Sequence, residues 1–323
     1  MKQNITRELI YSIARHSNWQ AAGIERKLRS EGLYATPRNW ATFARLFLLG
    51  TGASFTLAGI VFFFAYNWTD MHKFVKLGLL QFLLLAITFA ALVPRFSKTI
   101  RNVLLTASAV LVGVLFAVYG QIYQTGANAF DFFWGWTYCV VLWVLVANFQ
   151  PLWFIFLALL NTTFILYTQQ VATHWSFALV LDALFILNAV AVVVWEALEA
   201  KGKVNVQHRW FPRIVGLAAI VFITISMISL LYNNFNDFRE DYGLALLLGF
   251  GMYGAAIWYG MRKRELFYLT AVPFSAIAFF TALIIRIGEN LPELMLMLAT
   301  VFVIGSITLL VQYLGNLYRQ WHG

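Results

Sequence analysis

The sequence predicts an all-α fold: a polytopic transmembrane bundle of about ten helices, preceded by a small helical hairpin. Three observations predict it. Only 11% of the 323 residues are charged and 61% are hydrophobic, whereas a soluble domain carries roughly 25% charged residues. Such a chain, with a mean hydropathy of +0.73, cannot cover its apolar surface with water-facing groups, so lipid must be its solvent. Apolar runs of about 20 residues recur along it, the length that crosses a ~30 Å hydrocarbon core. Finally, with the segments assigned alternately inward and outward, Lys and Arg gather on one side, as the positive-inside rule requires.

Taken in order, residues 1–40 are polar and form the first region. No charged stretch leads into a short apolar run and cleavage site, so no removable signal peptide is expected. Ile5, Leu9 and Ile13 share one helical face. Ser17 to Gln20 have capping-box spacing, which starts a second helix near Asn18. Ile24 and Leu28 continue the apolar face, and Gly32 is a stop. Thr36-Pro37 reads as an N-cap with proline at the first helical position. Arg26, Lys27, Arg29 and Arg38 make the hairpin basic, which suits an anionic leaflet or a docking protein partner.

Residues 41–323 form the membrane bundle. The predicted segments are 43–66, 74–93, 101–119, 132–148, 151–168, 176–196, 213–232, 242–261, 265–285 and 292–314. Asn148-Phe-Gln-Pro151 is a turn whose proline opens the next helix. With the N-terminus inside, 19 of the 23 Lys and Arg fall on the inner side; only Lys73, Lys76, Arg239 and Arg286 fall outside. Both termini are therefore expected in the cytoplasm. The loop 196–213, with Lys201-Gly-Lys203, divides candidate halves 43–196 and 213–314, and no residue matches relate them.

The stretch from Leu105 to Trp136 draws attention. Leu105, Ala109, Gly113, Ala117 and Gln121 recur every four residues and share a face; small residues there admit a neighbouring backbone. The helix is expected to run into a polar loop, Tyr119 to Gly126, without Lys or Arg. Its candidate ligand-binding residues are Tyr119, Gln121, Tyr123, Gln124 and Thr125. Asp131 joins them, although capping the next helix is the commoner job for such a residue. Asn67 to Asp70, His72, Lys73, Gln169, Gln170, His174, Asp237, Arg239, Glu240, Asp241, Glu289 and Glu293 share the same predicted side.

Within the segments, Asp182 stands out. A carboxylate costs roughly 2.5–3.5 kcal/mol at a helix centre, less toward the interface, so it must face the bundle and find a partner. Arg286 is a candidate partner and site residue in the same leaflet. Asn161, Asn188 and Gln81 read as interhelical hydrogen bonds.

Several chemistries are excluded or disfavoured. One cysteine, Cys139, allows no intrachain disulfide and disfavours a thiolate metal site; no metal and no cofactor are expected. Gly249-Phe-Gly-Met-Tyr-Gly254 spells GxGxxG but lies inside an apolar helix, where close packing explains it better than a dinucleotide. Walker A, HExxH and GxSxG patterns are missing. The net charge of +9 reads as orientation and contact with membrane lipids, not as nucleic-acid binding.

Asn67-Trp68 at the end of the first apolar helix, then Gly120-Gln-Ile-Tyr-Gln-Thr-Gly-Ala127 two helices later, resemble a widespread family of bacterial integral membrane proteins classed as a domain of unknown function. The resemblance covers about residues 5–150. It implies a bacterial cytoplasmic membrane location and transfers no functional residue. Three function classes stay open. One is a transporter or carrier for a small polar or amphipathic solute, entered through an outward-facing polar vestibule. The second is a non-enzymatic scaffold, sensor or assembly partner, with a protein bound at the hairpin or a homo-oligomer. The third is an enzyme on lipid-linked substrates using Asp70, His72 or Asp131; the balance leans away from it.

Overall fold

The structure is a computed structural model and describes residues 7–30, 34–66, 71–123, 126, 128–202, 204, 209–232, 241–288 and 290–322. Twelve helices make up its regular structure: α1 (Arg7–Arg15), α2 (Ala21–Ser30), α3 (Pro37–Tyr66), α4 (Lys73–Leu92), α5 (Lys98–Tyr123), α6 (Ala129–Ala147), α7 (Gln150–Gln170), α8 (Phe177–Ala200), α9 (Trp210–Tyr232), α10 (Asp241–Lys263), α11 (Leu266–Ile287) and α12 (Pro292–His322). Ten of them, α3 to α12, are long and apolar enough to cross a membrane. The all-helical architecture and the ten segments are those the sequence predicts. Helices satisfy every backbone group internally, which is what hydrocarbon demands.

The chain divides into two compact units, residues 1–107 and 108–323. In the first, α1 and α2 form the predicted hairpin and bury Ile10 and Leu28. The Ser17–Gln20 capping box is not used. Instead α2 begins at Ala21, and the Gln20 carbonyl accepts the Gly23 and Ile24 N–H groups at 2.8 and 3.2 Å. Thr36 does cap α3, its Oγ1 accepting the Asn39 N–H at 3.2 Å. Six residues earlier than hydropathy suggests, α3 therefore starts at Pro37; helical hydrogen bonding does not require the apolarity that defined the segment. At the end of α4, Arg101 Nε donates to the Ala91 carbonyl at 3.0 Å, filling a helix-terminal acceptor.

In the second unit, α5 and α6 interlock. The Trp136 indole covers Gly113, leaving no room for a Cβ, and its Nε1 donates to the Ala109 carbonyl at 2.7 Å. In return Phe116 lies over Gly135, 3.0 Å from where a Cβ would sit. The small-residue stripe read from the sequence thus receives a tryptophan. Thr137 and Thr163 hydroxyls join α6 to α7 at 3.3 Å. The turn between those helices follows the prediction: Asn148 is left-handed (φ 43°), and Pro151 sits in the first turn of α7.

Asn161 and Asn188 exchange amide hydrogen bonds of 3.3 and 2.7 Å between α7 and α8. Each also donates to a carbonyl of its own helix at 2.8 Å. Phe185, Ala219, Ile223, Met227, Val272 and Phe279 form a core of α8, α9 and α11, with Tyr253 from α10. Gly249, first of the GxGxxG glycines, abuts the Met227 side chain. Gly251 and Gly254 have nothing near, so packing accounts for one glycine of the three.

Replacing Gly113 by leucine should therefore displace Trp136 and cost about 1–3 kcal/mol, the usual range for overpacking. Thermal unfolding of the purified protein in detergent checks it, with Gly120→Ala as the control, since open space surrounds Gly120. Equal midpoints for Gly113→Leu and wild type would mean that Trp136 is not seated there.

Candidate functional site

Among the described residues of the second unit, ion pairs cluster where α8 ends, α9 begins and α10 turns into α11. Glu196 and Glu199 are three residues apart and share a face of α8. Arg209 immediately precedes α9, and Arg213 follows one turn later. Between α10 and α11 the turn is tight: Arg264 is left-handed (φ 55°) and the Glu265 N–H reaches the Gly260 carbonyl at 2.9 Å. That turn delivers the Glu265 carboxylate to the start of α9.

Arg209 is the hub. It pairs with Glu196, with Glu265 at 3.2 Å and, more loosely, with Glu199 at 3.9 Å. It also donates to the Tyr259 hydroxyl at 2.9 Å, which in turn donates to Glu196 Oε2 at 2.5 Å. Arg213 adds a second pair to Glu265 at 3.0 Å. Burial works against the Arg209 charge, but the hydrogen bond to Tyr259 and the Glu196 carboxylate outweigh it. The guanidinium is held above its ordinary pKa.

Above the cluster lies a cavity of about 370 Å³ between α8, α9, α10 and α11. Its walls are Phe185, Ala189, Ala219, Met252 and Ala256, and its polar end is Glu196, Tyr259 and Tyr268. Small residues help create the space: Ala189 on α8 and Ala256 on α10 both line it, and larger side chains there would fill it. Along α8 the walls run from Glu196 to Phe185, ~16 Å at 1.5 Å per residue. Val193 and Trp258 form an exposed rim. The Arg262 guanidinium carbon stands 5.2 Å over the Trp258 ring.

The residues singled out from the sequence sit elsewhere. α5 continues to Tyr123, so the polar loop predicted from Tyr119 is shorter than expected. Gly120 does not break the helix, because a lone glycine costs only about 1 kcal/mol there; the left-handed residue is Gly126 (φ 66°). The Tyr119 and Tyr123 rings meet one turn apart, centroids 4.6 Å from each other and tilted by 43°, and Gln121 is exposed. Gln124 and Thr125 lie outside the described residues, as do Asn67 to Asp70, Asp237, Arg239, Glu240 and Glu289. Asp131 caps α6, its Oδ2 accepting the Asn128 N–H at 3.1 Å. His72 caps α4, and Gln170 Oε1 accepts the Phe130 N–H at 2.9 Å.

Asp182 is wholly buried and accepts a 2.6 Å hydrogen bond from Ser226 on α9. Arg286 lies 5.9 Å over the Tyr232 ring. None of the predicted mouth residues lines the cavity. Among the described residues no cluster of His, Cys, Asp and Glu is suited to a metal ion.

Residues 14–153 match the family described as predicted membrane protein (DUF2157). Over that stretch, under half of its length, the chain is similar to the DUF2157 family. It is a multi-pass membrane protein, with ten helices able to span. No curated protein and no solved structure matches it. The DUF2157 match ends in the first turn of α7, so the cavity and the Arg209 cluster lie beyond it. Sequence reasoning counted Arg209 and Arg213 as loop charges and passed over Glu196, Glu265, Tyr259 and Tyr268. The available signal was Glu196 and Glu199 at the end of an apolar run, where carboxylates need cations.

Arg209→Met should lower stability by about 3 kcal/mol, the low end for a broken buried pair, because these side chains are 23% and 18% exposed. Arg213, 46% exposed, should cost under about 1 kcal/mol as methionine. Thermal unfolding of both variants side by side checks the order, and a reversed order contradicts the hub.

Proposed function

We propose that the protein binds an amphipathic, single-tailed segment of a membrane molecule in the cavity between α8 and α10, as a lipid-binding protein of a bacterial cytoplasmic membrane. The observation that carries this reading is the cavity's chemistry: apolar walls, one polar end, and an exposed rim. Its volume of about 370 Å³ falls in the range of small-molecule sites, ~300–1,000 Å³. A polar solute would lose its hydration against Phe185, Ala189 and Met252 without replacement. An acyl or prenyl chain loses nothing there. The depth of ~16 Å is about half of a ~30 Å hydrocarbon core, which is one leaflet. Of the polar and amphipathic solutes open from sequence, these walls favour the amphipathic one.

Charge supports an orientation. Arg209, Arg213, Arg262, Lys263 and Arg264 gather at the cavity's polar end, so by the positive-inside rule that end faces the cytoplasm. The reading places both termini there too.

A second reading is movement of the bound molecule coupled to protons. Asp182, buried beside Ser226 on the same helix that walls the cavity, favours it. Asp182→Asn keeps the shape and removes the titrating group. Transport by reconstituted vesicles should then stop while binding persists; unchanged transport removes Asp182 from the mechanism.

The binding reading is tested with a phospholipid carrying a diazirine on its acyl chain, photolysed with the protein in nanodiscs. Label should map to α8 and α10 peptides around Ala189 and Ala256. Ala256→Phe, checked for an unchanged unfolding midpoint, should abolish that labelling. Labelling of those peptides that survives the filled cavity would contradict the reading.

A further inference from the structure

We propose that the cavity selects its occupant by an anionic phosphate head group, read by Arg262 at the rim; this rests on the binding reading above and names the ligand class for the same site. A tail moving from bilayer to cavity gains little, since lipid chains are as apolar as the side chains that replace them. Selection must come from the head. Among the groups at the polar end, Glu196 is already committed: Arg209 takes Oε1 and the Tyr259 hydroxyl takes Oε2. Tyr268 donates to the Pro212 carbonyl at 3.4 Å. A cationic head would have to break a built ion pair to find an acceptor.

Arg262 is differently placed. It is exposed, no carboxylate pairs with it among the described residues, and its guanidinium lies over Trp258, a rim residue of the cavity. The cation–π contact with the indole holds the guanidinium at the rim and leaves its N–H groups to meet phosphate oxygens. Trp258 and Tyr259 lie within one turn of Arg262, where an interfacial aromatic belt meets the head-group layer. Lys263 and Arg264 follow directly and add to the positive field. The tail then runs inward past Ala256 and Met252, and the head stays at the level of Arg262.

The test is native mass spectrometry of the full-length protein titrated with dioleoyl phosphatidylglycerol or dioleoyl phosphatidylcholine. Wild type should retain one phosphatidylglycerol in preference to phosphatidylcholine. Arg262→Gln should weaken phosphatidylglycerol roughly fivefold, the effect of one basic residue at an anionic surface, and leave phosphatidylcholine unchanged. Ala256→Phe should release both. A preference that survives Arg262→Gln, or that Lys263→Gln with Arg264→Gln removes instead, overturns the assignment to Arg262 while tail binding stands. Retention of neither lipid by wild type sinks the binding reading itself. Displacement of phosphatidylglycerol by millimolar inorganic phosphate alone would make the rim a free-anion site and overturn the lipid head group.

Discussion

Arg209 is where the ends of four helices are tied. One guanidinium pairs α8 through Glu196, reaches α10 through Tyr259 and meets the α10–α11 turn through Glu265, from a position at the start of α9. Interhelical association in lipid has no hydrophobic drive of its own and leans on packing and polar contacts. A hub at one end therefore sets the spacing of α8 to α11 beyond what their apolar faces dictate. Elsewhere those faces close completely around Ile223 and Met227. Near the hub they carry alanines and do not close, and the cavity is the result.

The same economy appears at the other polar contacts. Asn161 with Asn188, Thr137 with Thr163, and Asp182 with Ser226 each join neighbouring helices. The Ser275 hydroxyl bridges α11 to both Thr224 on α9 (2.5 Å) and Tyr253 on α10 (2.7 Å). Buried polar groups are costly unless satisfied, so each pair fixes the register of two helices as well as their contact. Glycines do the complementary work where a large side chain crosses: Gly113 under Trp136 and Gly249 against Met227.

Much of this architecture was legible in the residues themselves. Length and apolarity mark the ten segments because the bilayer fixes both. Asn161 and Asn188 read as interhelical bonds because amides that deep must pair. Their mutual partnership was not legible: it spans 27 residues and depends on how α7 and α8 rotate against each other. Asp182 read as a group needing a partner, and Ser226, 44 residues on, carries no mark that nominates it. The polar end of α5 looked like a loop because Gly120 and Gly126 punctuate a polar run, yet backbone hydrogen bonding carries the helix on to Tyr123. The cavity left no trace in composition at all. A void is made by what four helices fail to fill, and alanines at 189 and 256 look like ordinary small residues until both are found to line it.

We assign this void to a membrane amphiphile. A cryo-electron microscopy map of the protein in lipid nanodiscs addresses it directly. Rod-shaped density should appear between α8 and α10, running from the Trp258 rim toward Phe185, with a head-group lobe beside Arg262. Met252 or Trp258 folded into the space, with α8 and α10 in direct contact and no such density, would contradict it.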